Sequence, residues 1–131
     1  MPEPAETGNV EPGDVELKIL QQLWTRPNAT ARQIHNAVHA EQGKNYSTTV
    51  KMLSLMLDKG LVRRDDSVRP QTFTAVMTKK KAQKGLVTRL IKRAFDGSSV
   101  SLAMQALTAS RPSKEDLREI RRLIDKLEDK S

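Results

Sequence analysis

The chain has no cysteine, few aromatic residues and no long apolar run, and each of these absences excludes a class of protein. Without cysteine there is neither a disulfide framework nor a thiolate metal site. No apolar stretch approaches the roughly 20 residues that span a bilayer. The N-terminal residues 1–13 lack the basic and apolar regions of a secretion signal. We therefore expect a cytoplasmic protein built from one small domain or two very small ones.

Acidic residues are outnumbered by basic ones, and the net charge is +7. Three acids, Glu3, Glu6 and Glu11, lie within residues 1–13, where no base occurs, so the remaining chain carries +10. This excess favours a polyanionic partner such as DNA, although a basic surface without a nucleic-acid role has the same composition. Residues 1–13, rich in Pro, Glu and Gly, are predicted to form a disordered tail.

Three residues with N-cap chemistry, Asp14, Thr30 and Ser47, each precede an apolar pattern of helical period. Gln33 completes a capping box with Thr30, and Gly60 is expected to end the third helix. The predicted inner faces consist of Leu17, Ile19, Leu20, Leu23 and Trp24 in the first helix, Ile34 and Val38 in the second, and Val50, Leu53 and Leu57 in the third.

The residue pattern after the third helix changes from helical to alternating. LVRRDD (61–66) and QTFTAV (71–76) are short and rich in β-branched or aromatic residues, and SVRP between them has turn chemistry. Three helices followed by a hairpin is the order of a winged helix-turn-helix. We predict a mainly α fold with a small β-hairpin wing, comprising a winged-helix DNA-binding domain at 14–77 and a C-terminal helical dimerisation domain at 78–131.

The third helix has an outward face that lacks acids before Asp58. This face is predicted to consist of Thr48, Lys51, Met52, Leu55 and Lys59. Tyr46, which lies near the inner face at the start of the helix, and Ser47 are further candidate DNA contacts. Thr and Lys near a helix N-terminus suit phosphate and base-edge contacts in a major groove, and exposed apolar side chains suit thymine methyl groups. The alternative is a purely structural helix whose lack of acids is incidental.

Two histidines, His35 and His39, stand four residues apart, as in zinc-protease motifs. The catalytic glutamate of that motif is replaced by Asn36, and no third ligand is evident. We interpret them as polar residues on a half-exposed helix. No glycine-rich phosphate loop or nucleophile arrangement occurs, so we expect no metal, no cofactor and no enzymatic activity.

The C-terminal part is predicted to contain three further helices. Thr78 caps a helix with seven bases and no acid over 78–95, a nearly uncharged helix follows at 100–109, and Ser113 caps the last one. A short chain cannot easily cover the apolar faces of these helices alone, so we expect a homodimer. The predicted interface consists of Leu90, Phe95, Leu102, Met104, Leu117, Ile120, Leu123, Ile124 and Leu127.

The segment YSTTVKMLSLMLDKGLVRR (46–64) resembles the signature of BlaI/MecI-type penicillinase repressors, and ELKILQQLW and ATARQIHNAV resemble that family's first two helices. The family consists of dimeric winged-helix repressors that bind palindromic operators. By position, the resemblance implies DNA contacts from Thr48, Thr49 and Lys51 on the third helix, from Thr30 and Arg32 on the second, and from Arg69 in the wing.

The resemblance also implies a route of release. In the family, a protease linked to a membrane sensor cleaves the dimerisation region, at a position that corresponds here to Gln105-Ala106 where the best-known family site has Asn-Phe. Copper-responsive relatives sense the metal through a C-terminal cysteine pair, which this chain lacks.

Two functions of different classes follow. The first is a dimeric, sequence-specific repressor that binds an inverted-repeat operator through the 47–59 helix and the 66–70 wing. The second is a winged-helix module that binds a protein partner and has no sequence-specific DNA binding. A repressor with a small-molecule effector in its dimer interface ranks below both, because the sequence shows no convergent polar pocket.

Overall fold

The computed structural model describes residues 11–130, so most of the predicted disordered tail lies outside the described residues. The chain divides into two compact units, the first ending at Val87 and the second beginning at Thr88. None of the helices in the described range is long and apolar enough to cross a membrane.

The first unit is a winged helix, and the second consists of helices alone. The elements are α1 (Asp14–Thr25), β1 (Ala29–Thr30), α2 (Ala31–Val38), a 3₁₀ turn (Ala40–Gln42), α3 (Tyr46–Asp58), β2 (Val62–Asp65), β3 (Thr72–Ala75), α4 (Lys79–Ala94), α5 (Ser99–Ser110) and α6 (Lys114–Asp129). The mainly α fold class with a hairpin wing is thereby confirmed.

The sheet contains the predicted hairpin and one strand that the sequence did not reveal. β2 and β3 pair antiparallel, with Arg64 opposite Phe73, and β1 pairs with the other edge of β3, with Ala29 also opposite Phe73. The strand order is β1-β3-β2. A two-residue strand is too short to show a period of two, which explains why the residues before Thr30 looked like a loop.

Three of the predicted helix caps are confirmed and two are wrong. Thr78 Oγ1 caps α4 by accepting from Lys81 N at 3.1 Å. Thr30 Oγ1 accepts from Gln33 N at 3.1 Å while Gln33 Oε1 accepts from Thr30 N at 2.9 Å, and Ser113 Oγ caps α6 through Asp116 N at 3.0 Å. Asp14 and Ser47 instead lie inside the first turns of their helices, which begin after Gly13 and Asn45. The Asp14 carboxylate there interacts favourably with the positive end of the helix dipole, but it does not cap the helix.

The end of α3 is fixed by a glycine in the left-handed region, as predicted. Gly60 has a φ of 76°. Its N–H donates to Leu57 O at 3.1 Å, and Leu61 N donates to Met56 O at 2.9 Å, which is the Schellman pattern. Leu61 and Met56 are both fully buried. The turn therefore directs the chain from α3 into β2.

The core of the first unit is formed by apolar residues from all its helices and from the sheet. Its members are Ile19, Leu20, Leu23, Ala29, Ile34, Val38, Leu53, Met56, Leu61, Val62, Phe73, Met77 and Ala82. The indole Nε1 of Trp24 donates to Met77 O at 2.9 Å, which ties the end of α1 to the segment before α4. The predicted apolar faces of α1 and α2 are confirmed at Ile19, Leu20, Leu23, Ile34 and Val38.

The buried face of α3 differs from the predicted one. Thr49, Leu53 and Met56 are buried, whereas Val50 is 41% exposed and Leu57 is half-buried. Thr49 and Val50 are neighbours, so both fit a helical period with Leu53, and the choice between them depends on contacts outside the helix.

A half-buried ion pair joins the start of α1 to the end of α3. Lys59 Nζ lies 3.0 and 2.8 Å from the two carboxylate oxygens of Glu16, which is 5% exposed. Glu16 Oε1 also accepts from Gly13 N at 2.8 Å. Lys59 was expected on the outward face of the third helix. The residue is exposed, but it follows the last residue of α3, and its ammonium is held against Glu16 of α1.

Candidate nucleic-acid interface

The outward face of α3 is an uninterrupted strip of polar, basic and apolar side chains without an acid before Asp58. Ser47, Thr48, Lys51 and Leu55 are all exposed along it. The first turn of α3 also contains no acid, so the positive end of the helix dipole is not neutralised from within the helix. The strip therefore combines donors, a cation and a methyl-rich side chain at the spacing that a major groove accepts.

Thr49, which the family resemblance placed on DNA, lies in the interior. It is 0% exposed, and its Oγ1 lies 2.7 Å from Nδ1 of His35 and 2.7 Å from Nδ1 of His39. A fully buried hydroxyl that already forms hydrogen bonds with two histidines cannot reach a phosphate or a base. The expected DNA contact of Thr49 is therefore wrong, and its role is internal.

The histidines are buried too, at 7% exposure for His35 and 1% for His39, although the helix that carries His35 is half-exposed as expected. One hydroxyl has one proton, so Thr49 donates to one imidazole and must accept an Nδ1–H from the other when both are neutral. The two rings therefore adopt opposite tautomers. The cluster links α2, and the residue His39 that follows it, to α3 through two hydrogen bonds.

Burial lowers the pKa of His39 below its ordinary 6.5, and positive charge from Lys44, His35 and Lys18 lowers it further. Its Nε2 is buried without a hydrogen-bond partner among the described residues, so a proton added there would have no acceptor. Within residues 11–130, no group of three or more His, Cys, Asp or Glu side chains is arranged to hold a metal ion.

Tyr46 connects this buried cluster to the surface at the start of α3. Its ring meets the His35 ring edge-on, with centroids 5.6 Å apart and an interplanar angle of 86°. The guanidinium carbon of Arg32 lies 3.9 Å from the Tyr46 ring centroid. The structure thus brings together two residues that the sequence placed on DNA separately.

The remaining residues of α2 and α3 that were predicted to contact DNA differ in their exposure to solvent. Met52 is half-buried and packs against the core, whereas Leu55 is 44% exposed. The Thr30 oxygen is occupied as a helix cap, which leaves its hydroxyl proton for a phosphate. Arg32 projects from the first turn of α2 and is exposed.

The acids of the wing are satisfied by their own neighbours. Asp65 accepts from the backbone N–H and the hydroxyl of Ser67, and the hydroxyl bond, more than the backbone bond, lowers the pKa of Asp65. Asp66 Oδ1 lies 2.7 Å from Arg64 Nε. Arg69, the predicted wing contact, is exposed, and no ion pair involves it in the described part of the chain.

A groove of about 290 Å³ lies between α2, α3 and the hairpin. Val50 lines it together with Tyr46, Arg32 and Arg64. The exposure of Val50, which the sequence placed in the core, is explained by this groove. Arg32 and Arg64 thus add two basic side chains to a groove beside the outward face of α3.

The helices beyond the first unit carry the residues predicted for dimerisation and cleavage. α4 contains seven bases and no acid. Neither α5 nor α6 contains a buried residue, although α5 is nearly uncharged. The predicted interface residues are all exposed or half-buried: Leu90, Phe95, Leu102, Met104, Leu117, Ile120, Leu123, Ile124 and Leu127. Gln105 and Ala106 are exposed on α5.

Two features of the site were missed at the sequence level. The spacing of His35 and His39 was noticed, but their shared partner Thr49 lies on another helix and gives no local signal. The pairing of Glu16 with Lys59 joins residues 43 positions apart. The position of Glu16 between Val15 and Leu17 was the available hint of a cationic partner.

Comparison with known proteins places these observations in a family. The model of the penicillinase repressor family matches residues 12–126. Two curated relatives from Mycobacterium tuberculosis strains, each named transcriptional regulator BlaI, are 28% identical over 93 residues, which cover 70% of this chain and 67% of theirs.

Two solved structures are similar to the chain. A MarR family protein from Bacillus stearothermophilus gives a TM-score of 0.49 at 19% identity, covering 96% of this chain and 79% of the other. A MarR family transcriptional regulator from Silicibacter pomeroyi gives 0.43 at 18%, covering 86% and 66%. The family match extends over both compact units. The chain belongs to the penicillinase repressor family and is a transcriptional regulator with a winged-helix fold.

Proposed function

We propose that the chain is a dimeric repressor that binds an inverted-repeat operator, with α3 in the major groove and Arg69 of the wing on the neighbouring backbone. The observation that carries this proposal is the outward face of α3. It presents Ser47, Thr48, Lys51 and Leu55 to solvent with no acid among them. A solvated helix face normally alternates acids with bases, so this composition is explained by a polyanionic partner.

Dimerisation is supported by the second unit. Its apolar side chains recur along α6 at Leu117, Ile120 and Ile124, and no residue of α5 or α6 is buried within one chain. An apolar helix face that is this exposed is stabilised when a partner covers it. The partner we propose is a second copy of the chain, because two linked reading helices recognise two half-sites about one helical turn, or a multiple of it, apart.

The experiment is selection of duplexes from a random library by the purified chain, followed by affinity measurements at several salt concentrations. We expect an inverted repeat whose affinity exceeds that for a scrambled duplex by at least about 1,000-fold. The logarithm of the binding constant should fall linearly with log salt concentration, by about 0.9 per phosphate contacted. Equal affinity for the selected and scrambled duplexes would support the protein-interaction module instead.

A matched pair of variants on α6 tests the dimer. Ile124→Asp and Arg118→Gln both lower the net charge by one, but at 100° per residue Arg118 lies on the other side of the helix from the apolar residues. We expect Ile124→Asp to run as a monomer in analytical ultracentrifugation and to lose operator affinity, whereas Arg118→Gln remains dimeric. A dimeric, tightly binding Ile124→Asp variant contradicts the proposed interface.

We also propose that a cut in α5 releases the operator by disconnecting the two reading helices. Gln105 and Ala106 are exposed, and α5 has no buried residue in the single chain. A recognition sequence for a site-specific protease, inserted between Gln105 and Ala106, tests this step directly. Cleavage should leave the first unit folded while operator affinity falls towards that of a monomer, and unchanged affinity after complete cleavage contradicts the proposal.

A further inference from the structure

The first step concerns the freedom of the Arg32 side chain. Arg32 is exposed in the first turn of α2, and the interaction that the structure gives its guanidinium is the face of Tyr46, 3.9 Å from the ring centroid. A long exposed arginine normally samples many rotamers and loses that freedom when it binds. Here stacking on an aromatic face restricts the guanidinium in advance, while its N–H groups stay open at the edge.

The second step concerns the Tyr46 ring itself, which also packs against a histidine of α2. His35 packs against it edge-on at 5.6 Å, and His35 is in turn held by Thr49 through a 2.7 Å hydrogen bond. Thr49 is fully buried. A continuous chain of contacts therefore runs from the core through His35 and Tyr46 to Arg32 at the surface.

We propose that Tyr46 is a positioning residue that holds the Arg32 guanidinium in place to meet a backbone phosphate of the operator. This inference rests on the proposed DNA-binding function. Arg32 and Tyr46 stand at the first turns of α2 and α3, where both helix N-termini direct positive potential outward. The planar fork of an arginine stacked on a ring suits two-point recognition of phosphate oxygens. Tyr46 then acts through Arg32 rather than by touching DNA.

The test is a double-mutant cycle with Arg32→Ala and Tyr46→Leu, using the duplex selected by the wild-type chain and a scrambled duplex. We expect Arg32→Ala to weaken binding to both duplexes by a similar factor and to reduce the salt slope by about 0.9. Tyr46→Leu should weaken operator binding about threefold to tenfold in the wild-type background. In the Arg32→Ala background it should have almost no further effect.

The conservative variant Tyr46→Phe supplies the matched control, because it keeps the ring face and removes only the hydroxyl. We expect it to bind both duplexes like the wild type. A loss of affinity in Tyr46→Phe, or an equal loss from Tyr46→Leu with and without Arg32, would show that Tyr46 touches DNA or supports the fold generally. Either result overturns the inference.

Arg32→Lys tests the same point in a chain that keeps Tyr46. It replaces the test with Tyr46→Leu if thermal unfolding followed by the fluorescence of Trp24 shows that Tyr46→Leu does not fold. Lysine retains the charge and loses the planar stack, so binding should weaken about threefold or more; unchanged affinity overturns the inference. If the wild-type chain selects no duplex at all, the proposed function fails together with the inference. If the wild type binds its operator tightly but the affinity losses from Arg32→Ala and Tyr46→Leu add up in the double variant, the inference is overturned while the proposed function stands.

Discussion

Replacing Thr49 by valine removes one oxygen from the centre of the first unit and is expected to be more damaging than replacing it by serine. Valine keeps the shape of threonine but leaves the Nδ1 atoms of His35 and His39, each 2.7 Å from the lost hydroxyl, without a partner. A buried polar group that loses its partner costs about 1–3 kcal/mol. Two such groups give a loss of about 2–6 kcal/mol in the free energy of unfolding, a large part of the 5–15 kcal/mol that is usual for a domain.

Serine makes the opposite change, since it keeps the hydroxyl and removes one buried methyl group. The expected cost of that change is about 1 kcal/mol. The predicted order of stability is therefore wild type, then Thr49→Ser, then Thr49→Val. Apolar packing alone would predict the reverse order of the two variants, because valine fills the site better than serine.

Urea denaturation followed by tryptophan fluorescence measures these differences. Trp24 is the single tryptophan of the chain, and it lies half-buried in the first unit with its indole bonded to Met77 O. Its emission therefore reports unfolding of the unit that contains Thr49, at a fixed protein concentration so that association does not contribute. A Thr49→Val variant as stable as Thr49→Ser, or more so, refutes the assigned role of the hydroxyl.

The remaining predictions concern pH and the ion pair. Burial lowers the pKa of His39 in the folded chain, so the unfolded chain takes up the proton at a higher pH than the folded chain does. The free energy of unfolding should therefore fall as pH drops below about 6.5, and it should level off once His39 is protonated in the folded chain as well. His39→Gln should make the fall in the free energy of unfolding smaller, as measured by urea titrations between pH 7.5 and pH 5. If the fall is as large as in the wild type, other groups cause it. Lys59→Met leaves the buried Glu16 carboxylate without its cation and should lower the free energy of unfolding by about 1–2 kcal/mol, discounted for the exposure of Lys59. Lys59→Arg should restore most of that loss in the same assay, and equal destabilisation by both variants contradicts the ion-pair explanation.

The parts of the fold that the sequence predicted correctly are those fixed by residues close together in the chain. The capping box of Thr30 and Gln33, the cap at Ser113 and the stop at Gly60 are all local, and the structure confirms each of them. The hairpin was likewise signalled by two alternating runs around a turn. Such features depend on backbone geometry within a few residues, so one sequence contains enough information for them.

The errors in the candidate site came from contacts between elements. A 3.6-residue period allows either Thr49 or Val50 to share a face with Leu53, and hydrophobicity favours Val50. The structure buries Thr49 because two histidines on α2 supply partners for its hydroxyl. The same holds for Lys59, whose direction is set by Glu16 on α1. Neither partner can be found from the pattern of the third helix alone.

This difference between Thr49 and Val50 determines which side of α3 is offered to DNA. Moving Val50 into the position of Thr49 requires a rotation of the helix by about 100°, which would carry Ser47, Thr48 and Lys51 away from their present face. Apolar contacts are non-directional and do not by themselves discriminate strongly between the two rotations. The two hydrogen bonds that Thr49 forms with His35 and His39 discriminate between the rotations, because they form in only one of the two. The buried polar cluster thus sets the rotation of the reading helix, and the composition of the exposed face follows from it.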